Sequence, residues 1–86
     1  MFEVLNTLEA RADFAALPLE VQARVRALYA RLTRWPDVSG VKALRGNLRR
    51  AYRLRTGDYR VLFRVDQAER RIVVFRVANR RDVYED

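Results

Sequence analysis

The run Ala51-Tyr52-Arg53-Leu54-Arg55-Thr56-Gly57-Asp58-Tyr59-Arg60-Val61-Leu62-Phe63-Arg64-Val65 reads as a β-hairpin. Tyr52 and Leu54 point one way and Arg53 and Arg55 the other, the period of two that a strand imposes on its side chains. After Thr56-Gly57-Asp58, a turn whose glycine can take a positive φ, the alternation resumes. Tyr59, Val61, Phe63 and Val65 now interleave with Arg60, Leu62 and Arg64. One face of the hairpin therefore needs an apolar cover, and the other carries arginine.

Downstream, Asp66 to Arg71 is a polar turn, and Ile72 to Val77 is apolar on both faces apart from Arg76, the pattern of a central strand. Upstream, Asp37 to Gly46 reads as a connector holding Ser39-Gly40 and Leu44-Arg45-Gly46. The cover for the sheet comes from further back. Val21, Val25, Leu28, Leu32 and Trp35 fall at alternating spacings of four and three, one apolar stripe along a helix that begins after Pro18 and is expected to end at Trp35-Pro36. Asn6-Thr7 offers an N-cap for a shorter helix from Leu8 to about Ala16, and Phe2 to Leu5 is a short apolar run that suits a strand. The expected fold is α+β: an N-terminal strand, an antiparallel helical hairpin, then a three-stranded antiparallel meander with the helices on one face of the sheet. Residues 1–86 form a single domain, since either half alone would be too short to bury a core.

Composition narrows the chemistry. The chain has no cysteine and no histidine, which removes disulfides, thiolate metal sites, thiol nucleophiles, the commonest metal ligand and the commonest general base. No cofactor or metal is expected. Met1-Phe2-Glu3-Val4-Leu5 lacks a basic n-region and a long apolar run, so a soluble, cytoplasmic protein without a membrane partner is expected. The formal charge is +7. Residues 1–40 sum to zero, so the whole excess lies in residues 41–86, and only Lys42 among the 18 basic residues is lysine. Such a field suits a polyanion, and arginine presents a planar fork matched to phosphate, although a genomic or thermal bias toward arginine would leave the same composition.

Alternation sets Arg53 and Arg55 roughly 7 Å apart on one face. If the hairpin register folds Arg60 and Arg64 onto that face, four guanidinium groups share the area of a few nucleotides, with Arg80 and Arg81 able to rim it. Like charges at that density are expected to be exposed and to attract phosphate. The alternative is a solvated face whose arginine stems cover apolar surface or pair with Asp58, Asp66 and Glu69. Tyr52, Tyr59 and Phe63 are expected in the core. Tyr84 stands in a charged tail where no periodicity asks for an aromatic; it could stack on a base, offer its hydroxyl to a phosphate, or pin the tail.

Leu44-Arg45-Gly46, Tyr52-Arg53-Leu54-Arg55, Gly57-Asp58-Tyr59-Arg60-Val61 and Arg80-Arg81-Asp82-Val83-Tyr84 together resemble the signature of the RelE-type toxins of bacterial type II toxin-antitoxin pairs. The resemblance implies a ribosome-dependent, metal-independent endoribonuclease that enters the ribosomal A site and cuts messenger RNA, the ribose 2′-hydroxyl attacking the adjacent phosphate to leave a cyclic phosphate. By motif position it implies that Arg53 and Arg55 orient phosphate and serve proton transfer, and that Arg60 and Arg80 stabilise the transition-state charge. Tyr84 would stack on the base and assist with the proton. Arg45, Arg64 and Arg81 would add RNA contacts. It also implies a cognate acidic antitoxin and a hetero-oligomeric complex. This chain has Ala78-Asn79 where many relatives carry Gly-His or Gly-Lys, and a guanidinium stays protonated, so the general base is left unassigned. A ParE-like inhibitor of DNA gyrase shares the fold and stays open as an alternative, as does an impaired relative that only binds antitoxin and operator DNA.

Overall fold

The computed structural model describes residues 1–46 and 50–82. Strand β1 (Glu3–Asn6) leads into helices α1 (Leu8–Ala15) and α2 (Leu19–Leu32). Strands β2 (Lys42–Ala43), β3 (Ala51–Thr56), β4 (Tyr59–Asp66) and β5 (Arg71–Asn79) follow, and a 3-10 turn, Arg80–Asp82, closes the described chain. They form one five-stranded sheet in the order β1-β5-β4-β3-β2. β1 runs parallel to β5, while every other pair is antiparallel. The α+β architecture and its meander are as expected, with one addition. β2 lies inside the segment read as a connector, because a two-residue pairing, Lys42 with Arg53 and Ala43 with Tyr52, is too short to leave a periodic signal.

Local chemistry accounts for the helices. Thr7 caps α1 by accepting the Ala10 N–H at 3.1 Å on its hydroxyl. α2 buries Val21, Val25, Leu28 and Leu32, the expected stripe. It ends at Leu32 rather than running to Trp35. The Arg34 and Trp35 N–H groups bond back only three residues, to Arg31 and Leu32, and this tighter turn still delivers Trp35 to the core, where its ring meets Phe63 at 5.7 Å. The main core lies between the helices and the sheet, with Leu54, Val61, Phe63, Ile72, Val74 and Val77 from the strands. Tyr52 and Tyr59 pack against it, as their alternation demands.

The outer sheet face has a core of its own. Leu44, Ala51 and Leu62 are buried there, with Phe75 against them. Phe75 is in phase with Val73, which opposes Arg64 on that face, and a bulge follows at once: Leu62 opposes Arg76 while Phe63 opposes Val74, so β5 carries one extra residue. The insertion reverses the strand's phase, and Val77 joins Ile72 and Val74 under the helices although its offset from each is an odd number of positions, which strict alternation would put on the opposite face. Past Asn6 there is no β1 to pair with β5. Helix α1 takes over: the Asp13 carboxylate accepts the Val77 N–H at 2.9 Å and the Arg76 Nε–H at 3.1 Å.

Candidate active site

A two-residue turn, Gly57-Asp58, joins β3 to β4, with Gly57 at φ +58° in the position that asks for glycine. That turn fixes the register, and the register assembles the site. Arg55 lies directly opposite Arg60, Arg53 opposite Leu62 and Ala51 opposite Arg64, so all four arginines of the hairpin share the outer face. On β2, Lys42 opposes Arg53. On β5, Ala78 opposes Arg60.

Arg60 sits at the centre and is 5% exposed. This corrects the expectation that every member of the cluster would be exposed: Arg53 is half-buried and Arg55 and Arg64 are open, but Arg60 lies beneath them. The difference is local, since Arg64 on the same strand stays open: Arg60 has Arg55 and Ala78 directly opposite on its two sides, with Arg53 and Arg80 gathered near it. Burial lowers the Arg60 pKa from its usual value, and the positive charges of Arg53, Arg55 and Arg80 lower it further, against a smaller opposing pull from Asp58. Arg53 is likewise lowered, first by burial and then by Arg55. Four cations are thus close enough to perturb one another, and Arg80 belongs to the group although it lies beyond β5. Its backbone N–H donates to the Asp58 carbonyl at 2.7 Å, and its Nε stands 3.8 Å from the Asp58 carboxylate. The turn that sets the hairpin register therefore also anchors the fourth arginine.

Arg64 lies toward the other end of the face, its guanidinium 4.4 Å from the centre of the Phe75 ring. Arg45 is exposed one residue past Leu44, at the border of the outer apolar cluster, and Arg81 is exposed in the 3-10 turn, its N–H donating to the Asn79 side chain. Tyr84 lies outside the described residues. Lys42 and Phe75 were missed in the sequence because neither stands in an alternating run whose phase is readable. Among the described residues no three His, Cys, Asp or Glu side chains gather to hold a metal ion. Among the described residues no helix is long and apolar enough to cross a membrane.

An arrangement of this kind binds anions and stabilises negative charge as it develops, because the guanidinium groups are already oriented when the anion arrives. Its likeness to known proteins is consistent along the chain. Residues 4–84 match the family model described as the ParE toxin of the type II toxin-antitoxin system parDE. Toxin RelG of Mycobacterium tuberculosis is 36% identical over 84 residues, covering 96% of this chain and 95% of the relative. A chain in the toxin-antitoxin complex RelBE2 of the same organism superposes with a TM-score of 0.81 at 33% identity, over 91% of this chain and 96% of that one. The isolated RelE toxin of E. coli shares the fold, with a TM-score of 0.79 at 16% identity over 92% of this chain and 84% of its own.

Proposed function

Because the chain belongs to the ParE and RelE family and is a toxin of a type II toxin-antitoxin system, we propose that its arginine face binds messenger RNA in the ribosomal A site and cuts it. The observation that carries this reading is the placement of Arg55 directly opposite a buried Arg60, with Arg53 and Arg80 near enough to depress its pKa. Like charges directly across a strand pair destabilise a sheet, so their retention fits a surface completed by an anion.

In the proposed reaction the ribose 2′-oxygen bonds to the adjacent phosphorus and the bond to the 5′-oxygen breaks, leaving a cyclic phosphate and a 5′-hydroxyl. Arg53 and Arg55, at the accessible layer of the cluster, hold the phosphate. Arg60 beneath them and Arg80 at the rim meet the charge that grows on the phosphoryl oxygens, and one well-placed donor of this kind is worth about 3 kcal/mol of barrier. All four act through fixed charge, since a guanidinium keeps its proton at neutral pH. The proton acceptor is a separate group. Tyr84 is the aromatic candidate for stacking on the base.

The antitoxin follows from the same surface. The RelBE2 structure is of a toxin with its antitoxin, and a +7 chain with a basic face suits an acidic segment that folds over it. A second reading, inhibition of DNA gyrase without cutting nucleic acid, is favoured by the ParE description of the family model. Tightly controlled expression with mapping of message ends separates the two. Ribosome-dependent cuts that vanish in Arg60→Ala and in the exposed variant Arg55→Ala, both still bound by antitoxin, support the nuclease. Intact messages with double-strand DNA breaks would establish gyrase as the target, and intact messages with normal growth would leave a protein that only binds its partners.

A further inference from the structure

β2 covers β3 only at Tyr52 and Arg53, so the β3 edge beyond them is bordered instead by the connector at Ser39-Gly40. Between that connector and the hairpin turn lies a cavity of about 470 Å³, lined by Arg31, Ser39, Gly40, Leu54, Arg55 and Gly57. Two cations and no carboxylate face it. This sets it apart from the cavity on the β5 side of the hairpin, which Asp13 and Asp82 line together with Arg76.

Arg31 comes from the last turn of α2 and is held in place through one nitrogen: Nη2 donates to the Ser39 carbonyl at 2.6 Å and contacts the Ser39 hydroxyl at 3.3 Å. A guanidinium has five N–H donors, so the remaining ones stay available to a ligand from a pre-oriented fork. Arg55 is shared, because it lines the cavity and also stands opposite Arg60 on the arginine face. A second cavity of about 420 Å³ continues from Arg31 and Ser39 to Arg34 and Asp37. Positive charge therefore runs from the face around the β3 edge to Arg31, and beyond it Asp37 stands between Arg31 and Arg34 as the one acid on the path.

We infer that the Arg31–Ser39–Arg55 cavity is a second phosphate site, taking an RNA phosphodiester beyond the one bound over Arg60; this rests on the RNA reading of the face. The phosphate comes either from the strand leaving the face or from a ribosomal RNA helix. Arg31 and Arg55 supply the charge, and the Ser39 hydroxyl supplies a neutral donor.

The test uses the full chain and RNA whose riboses are 2′-O-methylated, so that cleavage by the 2′-oxygen is blocked and binding alone is read. Affinity is measured against salt for a single-stranded oligonucleotide and for a duplex, with wild type, Arg31→Ala, Arg31→Lys and Arg55→Ala. Arg31→Ala should weaken binding about fivefold and flatten the log–log salt slope by about 0.7, the contribution of one single-strand phosphate. Arg31→Lys should recover most of the slope, which separates charge from the structural bond to Ser39. A loss confined to the single strand identifies the departing strand as the source, and a loss confined to the duplex identifies a ribosomal helix. Unchanged slopes for both RNAs in a folded Arg31→Ala, while Arg55→Ala still weakens binding, overturn the second site and leave the face intact. Failure of wild type to bind either RNA sinks the reading of the face itself. An Arg31→Ala defect seen only with antitoxin would reassign the cavity to a protein partner.

Discussion

Arg60 concentrates the energetic conflict of the molecule. A buried cation with three neighbouring cations loses hydration and gains repulsion, and the fold tolerates this only as one local cost within a larger core. An anion over the face offsets both by direct attraction and charge-assisted hydrogen bonds. Inorganic phosphate should therefore raise Tm above that of a chloride solution of equal ionic strength, by roughly 4–8 °C for each kcal/mol of binding. Arg55→Ala should lose most of that gain, which calorimetry on the two proteins would show. The same residues set the expected kinetic effect. Removing the Arg60 guanidinium should slow message cleavage about a hundredfold to a thousandfold, measured by single-turnover cutting on programmed ribosomes, with antitoxin binding as the control for folding. The arginines were legible because each stands in an alternating run. That Arg60 would be the buried one was not, since its burial depends on the residues that pairing and the turn after β5 bring around it, Arg55, Ala78 and Arg80.

Two elements, β5 and α1, hold the site's far end. β5 has no strand partner past Val74 on the β1 side, and Asp13 supplies the missing acceptor. Losing the Asp13 carboxylate removes a charged bond and a backbone bond; at its partial exposure Asp13→Ala should cost about 1.5 kcal/mol and lower Tm by roughly 6–12 °C. Faster hydrogen exchange at the Val77 amide would place the loss at this strand end. Tyr29 of α2 donates its hydroxyl to the Asn6 side chain at 3.0 Å, joining α2 to the end of β1. Burial, and then the charge of Asp13, push its pKa up to about 12 from 10. The folded chain keeps the phenol proton after the unfolded chain has lost it, so this contribution is whole below pH 10 and disappears as pH rises from 10 to about 12. Tyr29→Phe should flatten that decline relative to wild type, read from denaturant midpoints at about pH 9 and about pH 11. The helix stripe and the Thr7 cap were visible because both are local. The bulge at Phe75 and the early end of α2 were not, because a continuous apolar run such as Ile72 to Val77 carries no phase, and a tightened turn keeps Trp35 in the core just as a longer helix would.

At the scale of the whole molecule, charge and topology agree. The sequence places its full +7 in residues 41–86, and the sheet turns the four arginines of the hairpin to the face the helices leave open. Binding of nucleic acid should therefore weaken steeply with salt, by about 0.7 in log–log slope for each single-strand phosphate held. Ratios of affinity at two salt concentrations, for wild type and the arginine variants, would count those phosphates. Alternation, helical spacing and capping are properties of neighbouring residues, so the sequence by itself determined the hairpin, the two helices, the apolar and basic faces of the sheet, and the family resemblance carried by the arginine motif. Pairing between distant segments was decided only by the tertiary structure. The parallel match of Glu3 with Arg71, the bulge that reverses β5, the burial of Arg60 and the cavity between Arg31 and Arg55 each join residues far apart in the chain, and no local pattern encodes the register that brings them together.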